Sequence, residues 1–411
     1  MPTDLYNAVK SSLVCQMDPF IRVILKPGKE QSIMRLHPWI FSGAINKFEG
    51  KPLEGDIVEV YSSQGEYLAS GHYQVGSIAI RIFSFRQVKA EADFWLEKVL
   101  AAYKLRTRLG LTNNDNTNVY RLVNGEGDGM PGFIADYYHG IAVLQMHSIG
   151  MYRLRELFTG ILKEIYGNLL LAVYDKSEST IPFKAGLDIR NGFVYGDQAV
   201  TEIMENGCRF SVDVATGQKT GFFIDQRDNR HLLTRYINGK DVLNMFCYTG
   251  GFSVYAMQGG ASLVHSVDSS VQAVELTSRN VGLNKDGTGK HEAFVAEAFE
   301  FLREIGERYD VIVLDPPAFA KHQDALRNAL QAYKRLNAKA IEQIRPGGII
   351  FTFSCSQVVS KDDFRKSVFA AAANTGRHVR ILHQLTQSPD HPVSIYHPEG
   401  EYLKGLVLQV E

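Results

Sequence analysis

The chain has 411 residues, of which 45% are hydrophobic and 22% are charged, and its formal net charge is -1 at pH 7. Because this length exceeds what one hydrophobic core usually organises, roughly two or three domains are expected. The near-zero charge argues against a protein that coats nucleic acid, although it is compatible with a local basic face. No apolar run reaches the length of a membrane span and no secretory signal is visible, so we expect a cytoplasmic protein with no membrane partner.

The cysteine content indicates the same compartment. The four cysteines are too few for a disulfide framework and too scattered for a metal site, so no metal is expected; they are Cys15, Cys208, Cys247 and Cys355. In a reducing cytosol, a conspicuous cysteine serves either packing or chemistry.

The N-terminal part predicts two segments. Residues 1–20 lack a long apolar core and predict a loose N-terminal extension. Residues 21–90 contain β-rich runs separated by turn residues, and this pattern predicts a small β-barrel domain; the runs are 22–25, 56–61, 67–71 and 78–83. Nine Lys and Arg against six Asp and Glu make this domain mildly basic.

The remaining chain predicts two further domains. Residues 91–200 mix a helical pattern at 91–109, a strand at 141–146 and a helix at 151–165, which predicts an α+β linking domain. Residues 201–411 alternate strands and helices, so we expect an α/β, Rossmann-like domain with a mainly parallel sheet covered on both faces. The predicted strands are 241–246, 262–267, 311–314 and 348–353, and the predicted helices are 271–284, 299–305 and 323–344.

The ends of these predicted strands carry polar residues, where ligands bind in parallel sheets. Gly250 and Gly251 follow the first strand, and Asp268 ends the next, 18 residues after Gly250. A carboxylate there is placed to accept the ribose hydroxyls of an adenosine-bearing cofactor. The G-x-G-x-x-G spacing that cradles a pyrophosphate is absent, which disfavours a nicotinamide oxidoreductase.

Two later strands end in Asp315-Pro-Pro and in Ser354-Cys355-Ser. Consecutive prolines fix the backbone and remove two N–H donors, which leaves the Asp315 carboxylate available to the edge of a base. Neighbouring strands of a doubly wound sheet end side by side, so Asp315 and Cys355 should face one crevice. A buried, inert thiol is the alternative reading of Cys355.

These motifs carry a family resemblance. The chain resembles the RlmI-type cytosine-5 methyltransferases of large-subunit ribosomal RNA, which join a PUA domain, a linking α+β domain and a Rossmann-like methyltransferase domain. The resemblance covers nearly all of residues 21–411. The matching motifs are Leu36-His-Pro-Trp-Ile-Phe, Asn124-Gly-Glu-Gly-Asp-Gly-Met-Pro-Gly, Gly217-Gln-Lys-Thr-Gly-Phe-Phe-Ile-Asp-Gln-Arg, Asn244-Met-Phe-Cys-Tyr-Thr-Gly-Gly-Phe-Ser, Leu314-Asp-Pro-Pro-Ala-Phe, Phe353-Ser-Cys-Ser and Pro398-Glu-Gly-Glu-Tyr-Leu-Lys-Gly.

The resemblance implies S-adenosylmethionine as cofactor and ribosomal RNA, from the large subunit, as partner. The implied cofactor contacts are Phe223 and Asp225 along the methionine part, Asn244 and Gly250 at its amino-acid end, Asp268 at the ribose, Glu297 and Ala298 at the adenine, and in addition Phe246, Tyr248, Thr249, Ser269 and Asp315. The family more often has Asp where this chain has Glu297, a change that keeps the carboxylate.

The implied catalytic residues are Cys355 and Asp315. Attack of a Cys thiolate on carbon 6 of cytosine makes carbon 5 nucleophilic, which is covalent catalysis. Asp315 would hold the polar edge of a base that has left its stack. Two alternatives stay open: methylation of another base atom, such as adenine N6 or guanine N7, which needs no thiol, and a non-catalytic RNA-binding assembly factor. The oligomeric state, including a homodimer, is also left open.

Overall fold

The computed structural model describes residues 21–181, 185–284 and 289–411. The predicted extension, residues 1–20, and with it Cys15, lies outside the described residues. The chain divides into two compact units. Of the described residues, the first unit contains those from 21 to 203 together with 212–222 and 389–400, and the second contains those within 204–211, 223–388 and 401–411. The domain boundaries at residues 90 and 200 stay predictions.

The first unit begins with a six-stranded sheet in the order β2-β6-β5-β4-β1-β3. Its elements are β1 (Ile21–Leu25), α1 (Gln31–Met34), β2 (Trp39–Phe41), β3 (Ile45–Glu49), β4 (Ile57–Tyr61), β5 (Tyr67–Tyr73) and β6 (Ile78–Ser84). The four predicted runs are confirmed as β1, β4, β5 and β6. The strands β2 and β3 escaped prediction because β2 has only three residues and β3 is largely exposed.

A five-stranded sheet, in the order β11-β10-β9-β8-β7, follows in the first unit. Its elements are α2 (Ala92–Arg108), β7 (Val119–Asn124), β8 (Phe133–Tyr138), β9 (Ile141–Met146), α3 (Ile149–Arg153), α4 (Arg155–Tyr166), β10 (Ala172–Asp175) and β11 (Gly192–Tyr195). The predicted helix 91–109 and strand 141–146 are confirmed. The predicted helix 151–165 is two helices that meet at Leu154.

The predicted α/β fold is confirmed by a seven-stranded sheet in the order β16-β15-β14-β17-β18-β20-β19. The first five strands in this order are parallel, and β20 is antiparallel to both of its neighbours. A two-stranded sheet precedes it, formed by β12 (Val200–Glu205) and β13 (Cys208–Asp213). The strands of the large sheet are β14 (Asp241–Met245), β15 (Leu263–Asp268), β16 (Lys290–Val295), β17 (Val311–Leu314), β18 (Gly348–Ser354), β19 (Val379–Leu385) and β20 (Lys404–Val410).

Helices cover both faces of this sheet, as predicted. Successive residues of a strand point to opposite faces, so Leu243 and Ile312 join one buried cluster while Val242 and Val311 join another. The helices are α5 (Arg227–Leu233), α6 (Gly251–Gln258), α7 (Val271–Leu283), α8 (Ala298–Phe301), α9 (Leu326–Gln343) and α10 (Lys361–Thr375). Among the described residues, no helix has both the length and the apolar content that crossing a membrane requires.

Candidate functional site

The predicted site residues of the second unit gather at one edge of the sheet. The strands β14, β15, β17 and β18 are parallel and end at Met245, Asp268, Leu314 and Ser354. The carboxyl ends of parallel strands meet at the same edge, and ligands of such sheets bind there. The pairing of β17 with β18 confirms that Asp315 and Cys355 follow neighbouring strands.

The loop after β14 has an unusual backbone. Phe246, Tyr248 and Gly250 all have left-handed conformations, with φ of 59°, 46° and 76°. At Gly250 a β-carbon would lie 2.8 Å from Thr277 Cγ2 and 3.0 Å from Thr277 Cα, so only glycine fits. Non-glycine residues in this region are strained, and such strain concentrates at functional sites. Thr249, inside the loop, is buried, and its carbonyl oxygen accepts a hydrogen bond from Asn280 Nδ2 at 2.8 Å.

Asp268 is held firmly at the end of β15. Its Oδ2 accepts a hydrogen bond from the Tyr248 N–H and its Oδ1 accepts one from the Ser270 N–H, both at 3.0 Å. Each carboxylate oxygen retains a lone pair for a further donor. Ser269 beside it is exposed. The backbone therefore fixes the orientation of the carboxylate, which keeps the capacity to accept further hydrogen bonds.

The loop after β16 lies next to Asp268. The Ala296 N–H donates to the Asp268 carbonyl oxygen at 3.0 Å. This contact brings Glu297, which is exposed, and Ala298, which is buried at the start of α8, to the same edge of the sheet.

Two buried oxygen atoms near this edge have no hydrogen-bond partner within the described ranges: Asp225 Oδ1 and Asn244 Oδ1. The other Asp225 oxygen accepts from Tyr402 Oη at 2.8 Å, and Asn244 Nδ2 donates to Ser253 Oγ at 2.8 Å. An unsatisfied buried acceptor is costly, so such atoms indicate a missing donor. The Phe223 ring lies 5.3 Å from the Tyr248 ring in an edge-to-face arrangement.

Asp315 has a strongly altered acidity. Burial and, next in size, the nearby Asp225 carboxylate raise the pKa of its carboxyl to about 7, while Arg230 and the Gln226 hydrogen bond oppose part of this change. Gln226 Nε2 donates to Asp315 Oδ1 at 3.1 Å. Near neutral pH the carboxyl can therefore donate as well as accept a hydrogen bond. A carboxyl with this acidity in a cleft is typical of a catalytic acid.

Cys355 differs from the other described cysteines. Burial raises the pKa of Cys208 and of Cys247 to about 12, and both are buried, whereas Cys355 is partly exposed. Its Sγ lies 3.9 Å from the carbonyl oxygen of Pro316, which adjoins Asp315. The structure thus brings the thiol beside the Asp-Pro-Pro loop.

Sequence reasoning missed a buried lysine next to this thiol. Lys404 Nζ donates to the carbonyl oxygens of Ser356 and Val359, at 2.5 and 2.7 Å. Burial lowers the pKa of Lys404 to about 8, and the nearby Cys355 opposes that change. The only signal in the sequence was the motif that begins at Pro398. Gln226 and Tyr402, which hold Asp315 and Asp225, were also missed.

The fold and the strand-end loops define an S-adenosylmethionine-dependent methyltransferase. A family model described as S-adenosylmethionine-dependent methyltransferase matches residues 189–398, and a PUA-like domain model matches residues 23–85. In fold, the chain is similar to a solved candidate SAM-dependent methyltransferase from Streptococcus mutans, with a TM-score of 0.80 and 22% identity over 95% of this chain and 100% of that one. A solved candidate methyltransferase complexed with SAH gives a TM-score of 0.82, 23% identity and the same coverage.

Curated relatives narrow the class. The chain is 40% identical to ribosomal RNA large subunit methyltransferase I of Aeromonas hydrophila over 395 residues, covering 94% of this chain and 98% of the relative. It is 39% identical to the enzyme of the same name from Escherichia coli over 397 residues, covering 95% and 99%. The chain belongs to the ribosomal RNA large subunit methyltransferase I family.

S-adenosylmethionine is accordingly the cofactor, and the residues present fit it. The unpartnered oxygens of Asp225 and Asn244 are acceptors suited to the ammonium group of a methionine moiety, and the Asp268 carboxylate is suited to a ribose diol.

Proposed function

We propose that this chain methylates carbon 5 of a cytosine in large-subunit ribosomal RNA and that Cys355 is the nucleophile. The support is the position of Cys355: it is partly exposed and follows the strand next to that of Asp315, whereas the other two described thiols are buried. Transfer to an exocyclic nitrogen or to guanine N7 needs no thiol, so this placement favours carbon 5.

The cofactor would be held by the residues of the strand ends. We assign the ribose to Asp268, the methionine end to Asp225 and Asn244, and the adenine to the loop of Glu297 and Ala298. Phe223, Phe246, Tyr248, Thr249, Gly250 and Ser269 would complete the pocket. When bound, S-adenosylmethionine supplies a methyl group on a sulfonium, which is electrophilic.

Cys355 starts the reaction on the base. Its thiolate forms a bond to carbon 6, and the electron pair displaced from the ring double bond makes carbon 5 nucleophilic. After carbon 5 has been methylated, loss of its proton restores the double bond and breaks the S–C6 bond, which regenerates the thiolate. Lys404, fixed against the Cys355 loop by two carbonyl oxygens, supplies a positive charge that favours the thiolate.

Asp315 would serve the same step from the other edge of the base. Addition of the thiolate pushes negative charge onto the ring, and a protonated carboxyl at N3 donates to that charge as it develops. An acid near pKa 7 is well matched to such proton donation at neutral pH. Gln226 holds one Asp315 oxygen and leaves the other for the base.

The reaction is tested by mapping 5-methylcytosine in ribosomal RNA with bisulfite sequencing, in cells with and without the gene. Loss of one modified cytosine in large-subunit RNA on deletion, and its return with the intact gene, is the expected result. Loss of a methylated adenine or guanine instead would favour a methyltransferase that acts on that base. If the methylation of ribosomal RNA is unchanged by the deletion although the protein binds this RNA, a non-catalytic assembly factor is favoured.

The cofactor assignment predicts that Asp268→Ala weakens S-adenosylmethionine binding by about 1–3 kcal/mol, roughly 5- to 150-fold, because two ribose donors lose their acceptor. Asp268→Asn, which keeps one acceptor oxygen, should show a smaller loss. Calorimetry of the folded variants gives the affinities. Asp362→Ala on α10, an exposed carboxylate, is the control and should bind like the wild type. Equal affinity in all four proteins would contradict the assignment.

The RNA assignment predicts a salt-dependent contribution from the six-stranded sheet. Lys29 and Arg35 flank helix α1 and are exposed. The double variant Lys29→Ala/Arg35→Ala should bind ribosomal RNA more weakly. Its slope of log affinity against log salt should be shallower by up to about 2, since up to two phosphate contacts are lost. Filter binding at several salt concentrations measures both quantities. Lys366→Ala on α10 should change neither, and an unchanged slope in the double variant would assign the sheet another role.

A further inference from the structure

Three potential metal ligands meet in the first unit. His37 precedes β2, while His397 and Glu399 belong to the segment 389–400. One ligand atom from each lies within 4.8 Å of the others. The distance from His37 Nε2 to Glu399 Oε1 is 3.5 Å, and the distance from His397 Nε2 to Glu399 Oε2 is 3.7 Å. These separations exceed those of good hydrogen bonds.

His397 is the least satisfied member of this cluster. Its side chain is 3% exposed, and neither ring nitrogen has a hydrogen-bond partner in the described part of the chain. A neutral imidazole keeps a lone pair on one of its two ring nitrogens. The Trp39 ring packs edge-on against it, with centroids 4.2 Å apart. A buried imidazole without partners calls for a ligand.

His37 is oriented for the same purpose. Its Nδ1 lies 3.2 Å from the Trp39 backbone nitrogen, whose N–H can donate to it, and 3.3 Å from the Trp39 carbonyl oxygen. A cation at Nε2 would select the tautomer in which Nδ1 carries the proton and donates to this carbonyl oxygen. In that tautomer Nε2 carries a lone pair on the side of Glu399. Metal-binding histidines usually donate their other ring N–H to a carbonyl or carboxylate in this way.

We propose that His37, His397 and Glu399 form a Zn²⁺ site. Two imidazoles and a carboxylate are donors that zinc prefers, whereas Mg²⁺ and Ca²⁺ prefer oxygen ligands throughout. Ligand atoms about 2.0–2.1 Å from a tetrahedral ion are roughly 3.4 Å apart. The separations of 3.5 and 3.7 Å, each to a different Glu399 oxygen, are close to this value, and one ligand atom from each of the three residues lies within 4.8 Å of the others. The fourth position is left for water.

The ion would fasten the far end of the segment 389–400. The near end is already anchored: Arg106 Nη2 donates to the Asp390 carbonyl oxygen at 2.7 Å, and Asn124 Nδ2 donates to the Pro392 carbonyl oxygen at 2.9 Å. Zinc bound to His397 and Glu399 would attach the other end to β2 through His37. The site is independent of the proposed methyl transfer.

The test uses the full chain, with any affinity tag removed and metals stripped by a chelator. Zinc titration in competition with a chromogenic chelator should give one tight site per chain, and zinc should raise the melting temperature. His37→Gln and Glu399→Gln should each weaken binding by at least about 10-fold and remove that shift. Both positions are partly or well exposed, so the variants should fold. His378→Gln, which alters an exposed His–Glu pair with a 3.4 Å separation, is the control and should behave as the wild type.

Cobalt provides a second readout. Co²⁺ bound to the wild type should show the visible absorption of a four- or five-coordinate ion without a thiolate charge-transfer band. A thiolate band would place the metal on a cysteine and overturn the assignment. Equal zinc affinity in the wild type, His37→Gln and Glu399→Gln would also overturn the assignment. His397 would then be a buried core histidine beside a surface ion pair of His37 and Glu399.

Discussion

The Cys355→Ala protein is expected to fold, to bind S-adenosylmethionine with wild-type affinity and to lose methylation by several orders of magnitude. Without the thiolate, carbon 5 of cytosine is too electron-poor to attack the methyl group. Single-turnover methylation of target RNA measures the loss. Cys208→Ala, which removes a buried thiol from β13, is the matched control and should retain activity.

Covalent catalysis makes a second demand on the same residue. RNA with 5-fluorocytosine at the target should trap the wild type as a protein–RNA adduct, because fluorine cannot leave as the proton does. The adduct should resist denaturation and map to Cys355 by mass spectrometry. An adduct on Cys247, or an active Cys355→Ala enzyme, would show that the nucleophile has been misassigned.

Asp315→Asn should lower the rate of methylation by roughly 10²- to 10⁴-fold, the usual contribution of a positioned acid. The wild type needs the protonated carboxyl, so its rate should fall as pH rises through about 7. The amide cannot lose a proton there, so this decline should be absent from the variant. Rates of methylation between pH 6 and 9 measure the difference, and a wild-type rate that does not decline above pH 7 would exclude Asp315 as the acid.

Stability gives an independent check of the same acidity. The folded protein holds the Asp315 proton up to about pH 7, whereas the unfolded chain releases it near pH 4. The folded state therefore binds more protons between these values, and its stability falls as pH rises through that window. Asp315→Asn removes this cost, so its melting temperature should exceed that of the wild type at pH 8 and approach it at pH 4. Asp324→Asn, in the middle of the 3₁₀ turn Gln323–Ala325, is the exposed control.

The central strands, and the placement of Asp315 and Cys355 after neighbouring strands, were predictable for one physical reason. The strands β14, β17 and β18 are buried on both faces, so each reads as an apolar run, and the polar residues that follow mark the strand end. The strands β16 and β19 lie at the edges of the sheet and are half exposed, so they carry no such run and were missed.

The parts of the site that were not predicted depend on contacts between residues far apart in the sequence or on unusual backbone conformations. Lys404 reaches Ser356 across 48 positions of the sequence, and only the antiparallel insertion of β20 beside β18 brings them together. The left-handed conformations of Phe246 and Tyr248 had no signal, because neither residue type favours them. Gln226 is an unremarkable residue until the fold sets it against Asp315.

The position of β20 between β18 and β19 has a consequence for the order in which the enzyme matures. During synthesis, β18, α10 and β19 are made before β20. One edge of β18 therefore has no hydrogen-bonded neighbour in the sheet until residues 404–410 have been made. The same event delivers Lys404 to the carbonyl oxygens of the Cys355 loop. The loop of Cys355, the proposed nucleophile, therefore gains its Lys404 contacts only after β20 has been made, and a chain interrupted before residue 404 lacks them.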